Sequence, residues 1–333
     1  MKKILYTFIF LSAFLPFLAG CGNESDNEKD TKCTVITLKG PSSVGMIKMI
    51  DSIKLRDFLN KPGKKKPWIK IEILNEPLQV RKMMIDGTAD FAILPMTTAA
   101  ALYNKGLDYK LVAVPIWGTL YLCGKDPSIK TWKDLKGRRI NLMAKGMTPD
   151  VLFRYLLMKN GLNPDRDVKL DYSFPTHTSL TNAMIAGVVD IGVLTEPFVS
   201  MAADKNKSLL TIFDLNAEWL KACGTPIAET AFVGKSKFII NHPKLTAEIL
   251  KEYANSTNWV NANPDSAAIL TANYQILPNP AVTRSAIPRC NLRFVKAADA
   301  QKDVNNYLNT FYNMNKEITG GKMPDSTFYW SGR

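Results

Sequence analysis

The sequence predicts an α/β protein of two lobes with a cleft between them, and three observations lead there. First, Met84–Leu94 (MIDGTADFAIL) recurs 100 residues later as Met184–Leu194 (MIAGVVDIGVL). Each copy reads as a helix end, a glycine stop, an aspartate and a short apolar strand without polar alternation, as in a parallel strand covered on both faces. Second, each copy is preceded by a segment that alternates apolar and polar residues, 68–74 and 167–172, and then by a helix. Third, two apolar stretches, 116–124 and 229–234, are placed to cross between the repeated units.

Taken in order, the chain opens with a basic pair, Lys2-Lys3, then an apolar run from Ile4 to Leu18 and Leu18-Ala19-Gly20-Cys21. An apolar core too short for an ordinary span, with small residues before a cut, predicts a signal peptide over 1–20. Residues 22–32 (GNESDNEKDTK) have nothing to bury and predict a flexible tether over 21–32. The first lobe starts with a strand at 34–39. Gly40-Pro41-Ser42-Ser43 then leads into a helix from about Val44 to Leu59. The repeated strand opens through Pro95-Met96-Thr97-Thr98 into a helix at about 99–103. Thr131–Arg139 gives a short helix and a glycine stop before a strand through Met143. Thr148 and Pro149 read as N-cap and first helical residue of a helix to about Asn160. The end of the chain predicts helices near 243–260, 264–275, 279–287 and 297–313, punctuated by Pro243, Pro264 and Pro278. The domain division is therefore 33–120 with 230–333 for lobe one, and 121–229 for lobe two.

Composition bounds the function. The 333 residues are 46% hydrophobic and 22% charged, and 43 Lys+Arg against 30 Asp+Glu give +13. Removing residues 1–20 leaves +11. The basic residues are dispersed; Lys64-Lys65-Lys66 is the densest run and has no interleaved aromatics, which argues against nucleic acid as a partner. Cys33, Cys123, Cys223 and Cys290 form no CxxC and have no histidine at ligand spacing, so no metal is expected. Disulfides and buried free thiols both remain open.

Leu18-Ala19-Gly20-Cys21, which resembles the bacterial lipoprotein box (lipobox), the tether, the Gly87/Asp90 and Gly187/Asp190 units, Trp132-Lys133-Asp134-Leu135-Lys136-Gly137 and Thr195-Glu196-Pro197-Phe198 follow one another in an order that resembles the solute-binding lipoproteins of ABC importers. Within these it most resembles the group whose members take nitrate, sulfonates, taurine or thiamine-precursor pyrimidines, and the resemblance covers about 34–325. It implies the type II periplasmic-binding-protein fold, with two α/β lobes, a central cleft and two crossover hinges. It further implies a lipid on Cys21, an extracytoplasmic location on a membrane, permease and ATPase partners, no cofactor, and a monomer. Two other classes compete: an enzyme on the same fold, like the pyrimidine synthases or menaquinone-pathway enzymes, and a solute sensor for a receptor. Against the enzyme stand the lipobox, the lack of a nucleophile–base spacing and the presence of only two histidines.

Ligands of open α/β sheets sit beyond the carboxyl ends of the strands. The candidate ligand residues are therefore Ser42, Ser43, Thr97, Thr98, Met147, Thr148, His177 and Glu196, with Trp117 and Thr119 as hinge walls. Each has a plainer alternative. The serines and threonines serve as helix caps, Glu196 also suits a helix N-terminus, His177 suits a structural loop, and Trp117 suits the core. Glu76, Lys145, Tyr121 and Thr225 are weaker candidates, His242 reads as structural, and no residue is assigned a catalytic role.

Overall fold

The structure is a computed structural model that describes residues 31–59 and 68–332. The expected signal peptide, Cys21, most of the tether and the Lys64–Lys66 run lie outside the described residues. Strand β1 (Lys32–Leu38) takes up the last tether residue. After it come α1 (Pro41–Gly45), α2 (Ile47–Leu59), β2 (Trp68–Leu74), α3 (Pro77–Ile85), β3 (Phe91–Pro95) and α4 (Met96–Asn104). β1 pairs in parallel with β2 from Lys32↔Trp68 to Leu38↔Leu74, and with β3 at Val35↔Phe91. The single helix expected from Val44 is two helices. Ser256, from a later helix, inserts its hydroxyl at the junction: it donates to the Gly45 carbonyl at 2.8 Å and accepts from the Lys48 and Met49 N–H groups. A side chain inserted in the backbone ladder breaks a helix in this way.

β4 (Tyr109–Ile116) ends the first sheet's outward run, and residues 117–119 carry the chain to β5 (Leu120–Gly124) in a second sheet. There follow β6 (Arg139–Asn141), α5 (Thr148–Lys159), β7 (Lys169–Asp171), α6 (His177–Ile185), β8 (Ile191–Thr195), α7 (Phe198–Lys205), β9 (Leu210–Asp214) and α8 (Leu215–Cys223). The chain returns to the first sheet as β10 (Thr230–Lys235) and closes with α9 (Ser236–Asn241), α10 (Pro243–Ala262), α11 (Pro264–Asn273), α12 (Pro280–Ala286), β11 (Leu292–Lys296) and α13 (Ala297–Met314).

The sheet orders are β11-β4-β10-β3-β1-β2 and β7-β6-β8-β5-β9. Each repeat thus lays its strands second-first-third in parallel, and a strand arriving from the other sheet lies antiparallel beside the third: β10 on β3 and β5 on β8. Gly87 and Gly187 occupy the same left-handed stop, at φ 70° and 78°.

β8 is buried along its whole length and β3 in all but Pro95, which accounts for their unbroken apolar sequences. α13 buries Ala297, Ala300, Val304, Tyr307, Leu308 and Phe311, spaced three and four apart. Its Tyr307 and Phe311 pack on the buried Trp219 of α8, with ring centroids 5.7 and 6.0 Å away. The helix that follows the first sheet's edge strand therefore packs on the second sheet's layer. The four described cysteines are free, and burial pushes the Cys123 thiol up to about 12. No helix among the described residues is long and apolar enough to cross a membrane.

Candidate functional site

The carboxyl ends of the parallel strands in the two sheets face one another, and the first turns of α4 and α5 meet there. Thr97 Oγ1 and Thr148 Oγ1 are 3.1 Å apart. α4 starts directly after Pro95, which offers no side-chain acceptor, so no side chain caps the first turn. The N–H groups of Thr97 and Thr98 therefore lack both an intrahelical partner and a side-chain cap. α5 is likewise uncapped at Met147; it starts at Thr148, one residue earlier than the sequence implies, so Thr148 is its first residue rather than its N-cap and Pro149 its second. The second helix of each repeat differs. At α3, Gln79 accepts from the Glu76 N–H, and at α6 Thr176 and Ser179 close a reciprocal box. The uncapped turns of α4 and α5 belong to the helices at the sheet-to-sheet junction, where partial positive charge faces the opposite lobe.

The α5 turn is held by Asp150, which is buried and accepts from Gly146 N–H (2.7 Å), Arg154 Nε (2.9 Å) and Tyr172 Oη (2.6 Å). The spacing of Asp150 and Arg154, four apart on a helix, is a sequence signal that went unused.

The two crossings touch behind these helix ends. Thr119 donates its hydroxyl to Glu229, at 2.9 and 3.0 Å from the two carboxylate oxygens. The Glu229 carbonyl accepts from Met96 N–H, the first residue of α4, at 2.9 Å. Gly118 sits at φ 100°, where an added Cβ would lie 2.2 Å from Asn216 Oδ1, so a side chain has neither the conformation nor the room. Asn291 holds the Gly118 carbonyl at 2.7 Å. Desolvation raises Glu229 to about 7, with Thr119 opposing the rise. Protein encloses the carboxylate, while the residue as a whole keeps some accessible surface.

A second cross-lobe contact joins Glu196, after β8, to Arg289, between α12 and β11. Arg289 Nε is 2.6 Å from Glu196 Oε1, its Nη2 donates to Thr211, and its guanidinium lies 4.2 Å from the centre of the Tyr121 ring. Tyr121 in turn donates to the Arg289 carbonyl at 2.9 Å. The other carboxylate oxygen of Glu196 accepts from Ser200 N–H in the first turn of α7. Burial raises the Glu196 pKa, and Arg289 opposes the rise. Cation, cap and carboxylate form one closed unit with the Glu196 side chain out of reach of solvent.

Ser42 and Ser43 are buried in the single turn of α1, Ser43 donating to the Gly40 carbonyl. Thr98 is half-buried and Met147 exposed. Trp117 is buried, donates to the Arg293 carbonyl and carries the Arg293 guanidinium over its ring at 4.2 Å. His177 stacks on Phe198, centroids 5.2 Å apart, with Nδ1 3.2 Å from Thr195 Oγ1. The residue as a whole is exposed, and desolvation by the surrounding protein lowers the pKa of its ring to about 4. Glu76 is exposed, Lys145 lies over Tyr172, and Thr225 is buried with no hydrogen-bond partner for its hydroxyl among the described residues. Sequence reasoning missed Glu229, Tyr307, Arg289 and Asp150. Among the described residues no group of three His, Cys, Asp or Glu side chains is placed to hold a metal.

Comparison with known proteins agrees with this architecture. Curated protein sequences give no match. The fold is similar to the crystal structure of an ABC transporter from Parabacteroides distasonis, with a TM-score of 0.77 at 29% identity, covering 91% of this chain and 100% of that one. It is also similar to the periplasmic aliphatic sulphonate binding protein SsuA from Escherichia coli (TM-score 0.71, 17% identity, 90% and 92% covered). A third similar structure is the alkanesulfonate-binding protein SsuA from Xanthomonas axonopodis pv. citri bound to MOPS (TM-score 0.63, 16% identity, 90% and 98% covered). The two-sheet architecture is that of the type II periplasmic binding proteins. Residues 68–267 match the family model described as NMT1/THI5 like, and the chain belongs to that family.

Proposed function

We propose that this protein is the solute-binding component of an ABC importer, which closes two lobes on a small polar organic solute and hands it to a permease driven by an ATPase. The observation that carries the reading is the contact of Thr97 with Thr148, which brings two uncapped helix N-termini from different sheets to one point. Helix N-termini present N–H donors and partial positive charge to a polar or anionic group. The lobes divide at the crossings, with 33–120 and 230–333 on one side and 121–229 on the other. Thr97, Thr98, Thr148, Met147, Thr119 and His177 line the gap; Ser42, Ser43, Trp117 and Glu196 support it from behind. The solute belongs to the sulfonate, nitrate, taurine or thiamine-precursor class that the family resemblance implies, and it is bound without being transformed. The chain is exported by residues 1–20 and held at the membrane, facing the periplasm or cell exterior, by lipid on Cys21. It acts as a monomer.

Native mass spectrometry of the protein purified from its own cells tests the reading. One small molecule should be retained per chain and lost on denaturation. A chain that carries none, and whose melting temperature no candidate solute raises, counts against it. Cys21→Ala should abolish lipid labelling and release the protein from membranes; retention without lipid would refute the anchor.

A further inference from the structure

We infer that Glu229 is the recognition point for a hydrogen-bond donor on the solute, so that the bound molecule carries an amine, a ring amino group or a ring N–H. The inference rests on the solute-binding reading and narrows its chemistry.

A carboxylate has about four acceptor positions. Among the described residues Glu229 accepts hydrogen bonds only from Thr119, from its hydroxyl and its backbone N–H, and no basic side chain pairs with it. The other enclosed acids of the cleft are satisfied, Glu196 by Arg289 and Ser200, and Asp150 by three donors. Glu229 alone among these three keeps acceptor capacity and accessible surface together. A second polar group lies beside it. Tyr307 is fully buried on α13, has its hydroxyl beside Thr148 and feels the charge of Glu229. A carboxylate with free acceptor positions and a buried hydroxyl, both at the meeting point of α4 and α5, suit a ligand bearing donor and acceptor groups.

An ionised Glu229 disfavours one class. Nitrate, sulfate and plain alkanesulfonates present only acceptor oxygens. They suit the helix ends but give an ionised Glu229 no donor, and they fit beside it only when it is protonated, below its pKa of about 7. A molecule with an acidic or acceptor end toward α4 and α5 and an N–H toward Glu229 satisfies both.

The test has two parts on the mature protein. The solute retained from native cells is identified chemically. Calorimetry then compares taurine with propane-1-sulfonate, and 4-aminopyrimidine with 4-methylpyrimidine, on wild type and Glu229→Gln. The donor-bearing member of a pair should bind about tenfold or more tightly, and Glu229→Gln should erase that preference while the solute-free protein melts at the same or a higher temperature. Tyr307→Phe, which keeps the packing on Trp219, should weaken the same member severalfold. A retained solute without any N–H overturns the inference and leaves solute binding intact. So does a preference that survives in Glu229→Gln, or a donor-free member that binds as well as its partner. No retained solute and no binding by any of the four probes defeats the solute-binding reading, and the inference with it.

Discussion

The hydroxyls of Thr97 and Thr148 lie 3.1 Å apart, although one belongs to a helix of the first sheet and the other to a helix of the second. Neither helix has a side-chain cap, so the contact joins two turns rich in free N–H groups. Thr97→Val and Thr148→Val each keep the shape and remove the bond. A neutral hydrogen bond contributes about 0.5–1.5 kcal/mol net, so solute affinity should fall about twofold to tenfold. Because the bond joins the two lobes, it should form only on closure, and the melting temperature of the solute-free protein should barely move. A loss of stability without loss of affinity would mark these hydroxyls as structural only.

The Arg289–Glu196 pair has the opposite balance. Arg289→Ala leaves a buried carboxylate capping α7 without its cation, which should cost about 2–4 kcal/mol in denaturant unfolding, less than a fully buried pair because the guanidinium is partly exposed. Arg289→Lys should recover only part of this, since a point charge cannot serve Glu196, Thr211 and the Tyr121 ring together. Equal stability in both variants would show that the pair is not an organising contact.

Gly118 provides a test of the hinge. Its positive φ and the 2.2 Å approach of Asn216 to an added Cβ predict that Gly118→Ala costs about 1–3 kcal/mol. Scattering should show altered lobe closure as well. A variant as stable as wild type would mean that the crossing relaxes freely.

How much of this was legible in the sequence follows from what each residue touches. The repeated strands at 91–95 and 191–195 were visible because burial on both faces leaves unbroken apolar letters. The helices α10, α11 and α12 were visible because proline marks their starts. β11 was missed: Leu292–Lys296 is a half-buried edge strand interrupted by Arg293, and its pattern is no stronger than that of a loop. Glu229 was passed over as the first residue of an apolar crossing, since nothing local says that Thr119, 110 residues away, will bond to it. Trp117 has the composition of a stacking wall, but its ring is covered by Arg293, a contact made across 176 residues. Periodicity reports local burial and is silent on such pairings.

Glu229 makes the protein's stability depend on pH with a definite sign. Its folded pKa, about 7, lies above the ordinary 4.5, so the folded state holds the proton more tightly. Its contribution is present below about pH 4.5 and is lost as pH rises through about 7. Relative to Glu229→Gln, wild type should lose about 1–3 kcal/mol across that window. Tyr307 and Cys290, which feel the same charge, stay neutral throughout because burial raises both pKa values. Parallel stability profiles for the two proteins would contradict the assignment.

Closure of two lobes on a solute is the central claim, and solution X-ray scattering on the solute-stripped mature protein tests it most directly. Adding back the small-molecule fraction eluted from the native protein should lower the radius of gyration and raise the melting temperature together. Scattering curves that coincide with and without that fraction, at an unchanged melting temperature, would contradict it.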